Sequence, residues 1–310
     1  MQIITSPALP SPARVDEPTR GTVRVGLVQH AWREDADALR SVLDEGVGAA
    51  AAEGAKIVFL PELTLSRYPA FEEPSGRAAD LTEDLETGPT ITFAREAARR
   101  HGVFVHASLY ERADQPGDDL GFNTAILVSP EGELVARTRK THIPVTEGYV
   151  EDKYFRPGPA SDAYPVHRPA GDLGVEIGLG MPTCWDEWFP EVARSYALGG
   201  ADVLVYPTAI GSEPDHPDFD TQPLWQQVIV GHAIANGLFI VVPNRIGDEG
   251  RITFYGSSFI VDPYGRILAQ APRDEEAVLV ADLELDQRGD WLTLFPFLTT
   301  RRPDTYEGLL

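Results

Sequence analysis

Hydrophobic and polar positions alternate with period two in a series of short runs, and the stretches between those runs carry helical spacing. Val23, Val25, Leu27 and Val28 predict a buried strand over residues 22–29, and residues 35–53 predict an Ala-rich amphipathic helix that stops at Gly54. Lys56-Ile57-Val58-Phe59-Leu60 predicts the next strand, which makes a strand–helix–strand unit with a parallel pair and a right-handed crossover. Gly88-Pro89 opens a helix through Arg100 with Gly102 as its stop, and residues 103–110 predict a third strand. Residues 123–128 and 133–139 predict a hairpin around Ser129-Pro130-Glu131-Gly132.

The second half repeats the scheme. An apolar run over residues 174–179 precedes the only cysteine, Cys184, after which Val192, Ala193, Tyr196, Ala197 and Leu198 recur at helical spacing until Gly199-Gly200. Strands follow at 202–206 and 238–243 around a helix at 221–236. Residues 253–261 then pair with 266–270 across Asp262-Pro263-Tyr264-Gly265, and residues 277–282 make a last strand. Each half combines crossover units with a hairpin, which predicts an α/β fold of two mixed sheets packed face to face with helices outside. Residues 1–20, with four prolines and no secretory charge order, are expected to be a disordered tail ahead of one domain over 21–310.

Composition narrows the function. With 310 residues and 43% hydrophobic content the chain can bury a large core. A formal net charge of −22 argues against nucleic acid as a partner, because phosphates would be repelled. No apolar run approaches the roughly 20 residues that span a bilayer, so no membrane partner is expected. One free cysteine excludes an internal disulfide framework and fits a reducing, cytoplasmic setting. The seven histidines lack the close spacing of a metal site, so neither a metal nor another cofactor is expected.

Three residues carry candidate chemistry. Glu62, in Pro61-Glu62-Leu63, follows a strand; Lys140 follows the second strand of the hairpin; Cys184 stands between a strand and a helix. Taken singly, each has a bland reading, as an exposed loop acid, a solvated lysine and a small buried hydrophobe. Open α/β sheets, however, assemble sites at the carboxyl ends of strands from distant parts of the chain. A lysine ammonium and a proton-accepting carboxylate beside a thiol would both raise its reactivity.

Pro61-Glu62-Leu63, then Arg139-Lys140-Thr141-His142-Ile143-Pro144, then Cys184-Trp185-Asp186 before Phe189-Pro190-Glu191 resemble, in order and rough spacing, the three signature regions of the nitrilase (carbon–nitrogen hydrolase) superfamily. The likeness covers about residues 22–305. Residues 148–155, 206–214 and 251–256 sharpen it toward the N-carbamoylputrescine amidase branch. The resemblance implies an αββα fold that dimerises, or forms higher homo-oligomers, through its sheets. It also implies Cys184 as nucleophile, Glu62 as general base and acid, and Lys140 as electrostatic stabiliser. Glu151 matches a second glutamate that the family often places beside this triad, against the plainer reading of a loop acid paired with Lys153. The activity implied is hydrolysis of the carbamoyl C–N bond of a linear N-carbamoyl amine.

Tyr68, Trp185 and Glu213 are the candidate substrate-binding residues. The backbone N–H of Trp185 could stabilise an oxyanion together with Lys140, while its ring, with Trp188 and Phe189, is expected to pack around the nucleophile turn. Glu213 follows the strand at 202–206, so it should emerge at the same sheet edge as Cys184, where a carboxylate could replace the lost hydration of a substrate ammonium. Asp186 is expected to cap the helix after it. The sequence departs from the family at Pro182-Thr183, where apolar residues are usual. A proline has no N–H for a central strand ladder, so the strand must end early or the elbow must bend differently. N-carbamoyl-β-alanine remains an alternative substrate, with Arg67, Arg245 and Arg251 unplaced as partners for its carboxylate. A nitrile substrate, or a weakly active binding or assembly role, also stays open.

Overall fold

Period-two alternation sorts the side chains of each strand onto two faces, and the computed structural model, which describes residues 1–113, 119–171 and 173–309, shows where each face goes. In chain order the strands are β1 (Gln2–Ser6), β2 (Thr22–Gln29), β3 (Ile57–Phe59), β4 (Phe104–Glu111), β5 (Phe122–Val128), β6 (Leu134–Arg139), β7 (Val145–Thr146), β8 (Tyr149–Val150), β9 (Leu179–Gly180), β10 (Val203–Val205), β11 (Phe239–Val242), β12 (Ile246–Asp248), β13 (Thr253–Tyr255), β14 (Phe259–Val261), β15 (Ile267–Gln270) and β16 (Ala277–Glu284). The α-helices are α1 (Ala36–Ala52), α2 (Pro89–His101), α3 (Pro190–Leu198), α4 (Gln222–Asn236) and α5 (Asp286–Leu294).

Two mixed sheets result. One has the strand order β1-β16-β2-β3-β4-β5-β6 and the other β15-β14-β11-β10-β9. Val23, Val25 and Leu27 of β2, Ile57 and Phe59 of β3, Val203 and Val205 of β10, and Phe239 and Val241 of β11 meet in one core between the sheets. Their neighbours turn outward: Val28 and Val58 pack under α1 and α2, and Leu204, Ile240 and Val242 pack under α3 and α4. Burying each such side chain contributes about 1.5–3 kcal/mol. The fold is therefore α/β, an αββα sandwich.

The helix ends obey local chemistry. Asp35 caps α1 by accepting from the N–H groups of Asp37 and Ala38. Pro89 sits in the first turn of α2, and Gly102, at φ 66°, ends it in the left-handed conformation that glycine adopts without strain.

Three expectations need correction. Residues 1–20 are not loose: Gln2–Ser6, rich in β-branched residues, pair in parallel with β16. The proline-containing segment behind them is tied down where Arg14 meets Glu284 and Asp290 and Arg20 meets Asp202. Second, the strand before Cys184 is only Leu179–Gly180. Third, residues 253–261 form two strands, because Gly256 and Ser257 at φ 54° and 56° break the extended backbone between β13 and β14. The two sheets face each other within one chain, and the outer faces of their central strands lie under helices.

Candidate active site

The Glu62 side chain leaves the chain at a tight elbow just past β3. Leu63 takes φ 48°, a left-handed conformation costly for a branched residue, and ties on both sides hold it there. Thr64 Oγ1 donates to the Pro61 carbonyl (2.9 Å), the Thr64 N–H to the Ser108 carbonyl (2.9 Å), and the Leu63 N–H to Ser108 Oγ (3.1 Å). The carboxylate that emerges is fully buried. Its Oε1 accepts from Asn123 Nδ2 at 2.7 Å and from Lys140 Nζ at 2.9 Å, while Oε2 has no partner among the described residues.

Lys140 follows β6 directly, its N–H donating to the Asn123 carbonyl at 2.8 Å. Its ammonium also donates to both oxygens of Glu151, at 2.9 and 2.7 Å. Burial works against the ammonium, but Glu151 and then Glu62 outweigh it and hold the lysine well above its usual range. Burial, opposed by Lys140 and reinforced by Glu62, pushes Glu151 up to about 7. Glu151 is thus bound to Lys140; Lys153 pairs instead with Asp152 at 3.0 Å. Tyr68 stands behind Glu151, donating its hydroxyl to Oε1 at 2.8 Å. It supports that carboxylate and is not among the residues lining the cavity described below.

Cys184 opens a short 3₁₀ turn, Cys184–Trp188, with φ 43°. Pro182 costs nothing here. It lies past the last ladder pair, Leu204 with Gly180, on an edge strand that has already ended. The Cys184 N–H donates to the Pro207 carbonyl at 3.0 Å. Asp186 does not cap α3; it holds the cysteine turn itself. Its carboxylate accepts from the N–H groups of Thr183 (3.1 Å), Thr141 (3.3 Å) and His142 (2.9 Å) and from His142 Nδ1 (2.7 Å). Burial, then the Glu62 charge, raises the thiol well above its usual range, with Lys140 opposing. The thiol lies within electrostatic reach of Glu62, whose open oxygen offers a place for its proton.

Glu187, which no spacing in the sequence singled out, is buried behind the turn and accepts from Trp225 Nε1 at 2.9 Å. Burial, then the Glu62 charge, raises it well above its usual value, with the Trp225 hydrogen bond opposing.

Cys184 and Glu151 open into a cavity of about 290 Å³ whose walls include Trp185, Trp188, Ile210 and Leu224. Trp185 and Trp188 are therefore walls as well as packing. The other charged group lining it is Glu213, whose Oε1 accepts from Thr221 Oγ1 at 3.1 Å. No lysine or arginine is among the described residues that line it. The three arginines left unplaced by the sequence are engaged elsewhere: Arg245 and Arg67 at Glu249, and Arg251 at Glu147. No group of three or more His, Cys, Asp or Glu among the described residues could hold a metal ion. No helix among them is long and apolar enough to cross a membrane.

Residues 24–292 match the family described as carbon-nitrogen hydrolase. The chain belongs to the carbon–nitrogen hydrolase family. Among its relatives, a citrullinase of Francisella tularensis is 35% identical over 93% of this chain and 98% of that protein. An N-carbamoylputrescine amidase of Arabidopsis thaliana is 35% identical over 95% and 97%. The crystal structure of a carbon–nitrogen hydrolase from Helicobacter pylori superposes with a TM-score of 0.82 at 32% identity, covering 94% of this chain and 99% of that one. An amidase from Nesterenkonia, solved with an acetamide moiety covalently added at its active site cysteine, superposes with a TM-score of 0.72 at 26% identity, covering 94% and 98%. This carbon–nitrogen hydrolase is an enzyme that acts on amide-type bonds.

Proposed function

We propose that the enzyme hydrolyses the carbamoyl C–N bond of a linear N-carbamoyl amine, N-carbamoylputrescine fitting best. Cys184 Sγ attacks the carbamoyl carbon as its proton passes to Glu62 Oε2. Lys140 Nζ and the Trp185 N–H stabilise the oxyanion. Glu62 returns the proton to the departing amine nitrogen as the C–N bond breaks, leaving a carbamoyl thioester on Cys184. Water then attacks, giving its proton to Glu62, which passes it back to the departing thiolate. The carbamic acid released falls apart to ammonia and carbon dioxide. Covalent addition of an acetamide moiety at the active site cysteine of the Nesterenkonia amidase supports Cys184 as the nucleophile.

The observation that carries the substrate is Glu213, a carboxylate in the wall of the Cys184 cavity, with no lysine or arginine among the described residues of that wall. A substrate ammonium placed there would regain the hydration it loses. The citrullinase relative favours a second reading, citrulline, but its carboxylate would find no cation in these walls, and N-carbamoyl-β-alanine meets the same objection. Breaking a desolvated charge pair costs about 2–5 kcal/mol, or roughly 30-fold and upward in kcat/KM. Glu213→Gln should lower kcat/KM for N-carbamoylputrescine by at least about 30-fold and leave an uncharged N-carbamoyl alkylamine nearly unaffected. Equal effects on both, or faster turnover of citrulline than of N-carbamoylputrescine by the wild type, would refute the assignment. A homodimer or higher homo-oligomer is part of the same proposal, and sedimentation tests it.

A further inference from the structure

Arg245 is among the largest side chains fully buried in the molecule, and its hydrogen bonds converge on one place. Nη2 donates to the backbone carbonyls of Glu62 (2.7 Å), Leu63 (3.1 Å) and Ser66 (3.2 Å), the turn that presents the Glu62 carboxylate, from 183 residues further along the chain. Nη1 donates to Glu249 Oε1 at 2.7 Å. The other oxygen of Glu249 accepts from the Tyr68 N–H at 2.9 Å, and Tyr68 in turn bonds Glu151. Arg245 is itself held close: the preceding residue, Asn244, bonds the Ile210 N–H and carbonyl and the Gly256 carbonyl, and the guanidinium lies 5.4 Å from the centre of the Phe254 ring.

Burying a guanidinium is costly unless an anion and several acceptors compensate it, and apolar residues would serve a purely structural position at least as well. Here the compensating acceptors are three carbonyls of a single strained turn. From these contacts we infer that Arg245, with Glu249, is a positioning residue that sets the Glu62 elbow and the Tyr68–Glu151 support behind Lys140. The planar fork is what the task requires, since one nitrogen reaches the elbow carbonyls while the other holds Glu249. A lysine offers a single nitrogen and cannot span both. The inference rests on the reading of Glu62 as the base.

Arg245→Lys in the full-length protein tests it. Two quantities are measured: the rate at which iodoacetamide alkylates Cys184, followed by intact mass across pH, and kcat and KM for whichever amide the wild type turns over. Alkylation needs no substrate assignment. The brace predicts a kcat at least about tenfold lower, a KM within about threefold of wild type, and alkylation near neutral pH slowed in the same direction as in Glu62→Gln, all in protein whose circular dichroism is native. Folded Arg245→Lys with wild-type kcat and alkylation would overturn the brace alone. An alkylation profile unchanged in Glu62→Gln would overturn the base assignment, and this inference with it. If Arg245→Lys does not fold, Glu249→Gln carries the test: it keeps an acceptor for the Tyr68 N–H but removes the partner charge. It should lower kcat by about threefold to tenfold at unchanged KM, and an unaltered kcat there would equally overturn the brace.

Discussion

The elbows at Glu62 and Cys184 solve one problem with opposite charges. Both hold a non-glycine residue in the left-handed region, Leu63 at φ 48° and Cys184 at φ 43°, and both are fastened by a charged residue, one from far along the chain and one from within the turn itself. At Glu62 the turn offers carbonyls, and a cation, Arg245, collects them. At Cys184 the start of a 3₁₀ turn offers the Thr183 N–H, and an anion, Asp186, collects it together with two from the Lys140 segment. The polarity matters. Unpaired carbonyls behind Glu62 call for a donor, whereas unpaired N–H groups around the cysteine turn call for an acceptor.

Removing the sulfur tests the comparison most severely. Cys184→Ala should abolish ammonia release while keeping the native circular dichroism spectrum, and intact mass after substrate trapping should reveal a carbamoyl adduct on the wild type only. An adduct on another residue, or residual turnover in the variant, would end the triad assignment. Next in size, Glu62→Gln and Lys140→Ala should each cost about 10²–10⁴-fold in kcat; either one retaining more than about a tenth of the wild-type rate argues against its role. Asp186→Ala strips an acceptor from four donors. The variant should lose about 4 kcal/mol in urea unfolding, since unsatisfied buried groups cost about 1–3 kcal/mol each. A midpoint close to wild type would mean that water replaces the carboxylate and that the turn holds without it.

The smallest effect concerns pH. Burial raises Glu151 to about 7 in the folded protein, from about 4.5 when unfolded, so between those values the folded state holds the extra proton. Its contribution to stability is fully present below about pH 4.5 and is lost as the pH rises through about 7. The stability difference between wild type and Glu151→Gln should therefore shift against the wild type by about 3 kcal/mol over that window, at about 1.4 kcal/mol per pH unit. A flat difference would mean that Lys140 keeps Glu151 ionised throughout.

Much of this was legible in the chain itself. Continuous apolar runs such as Val203-Leu204-Val205 mark strands buried on both faces, because an extended backbone turns successive side chains to opposite sides. Local spacing likewise put Glu62, Lys140 and Cys184 each just past a strand, which was enough to propose that one sheet edge gathers them. Other features depended on what meets across the fold. Gln2–Ser6 read as tail because only pairing with β16, from the far end of the chain, makes it a strand. Pro182 read as an obstacle because a run of residues does not say whether its strand is central or at an edge, or where the ladder stops. Tyr68 was grouped with substrate contacts, and only packing put it behind Glu151. Arg245 was a spare cation in the sequence, since nothing within a few residues of it marks a side chain that ends under a turn 183 positions away. Local propensity and alternation reach across a handful of residues, whereas burial, edge position and the partner of a charge are set by contacts between distant segments, and those exist only once both sheets have closed on a common core.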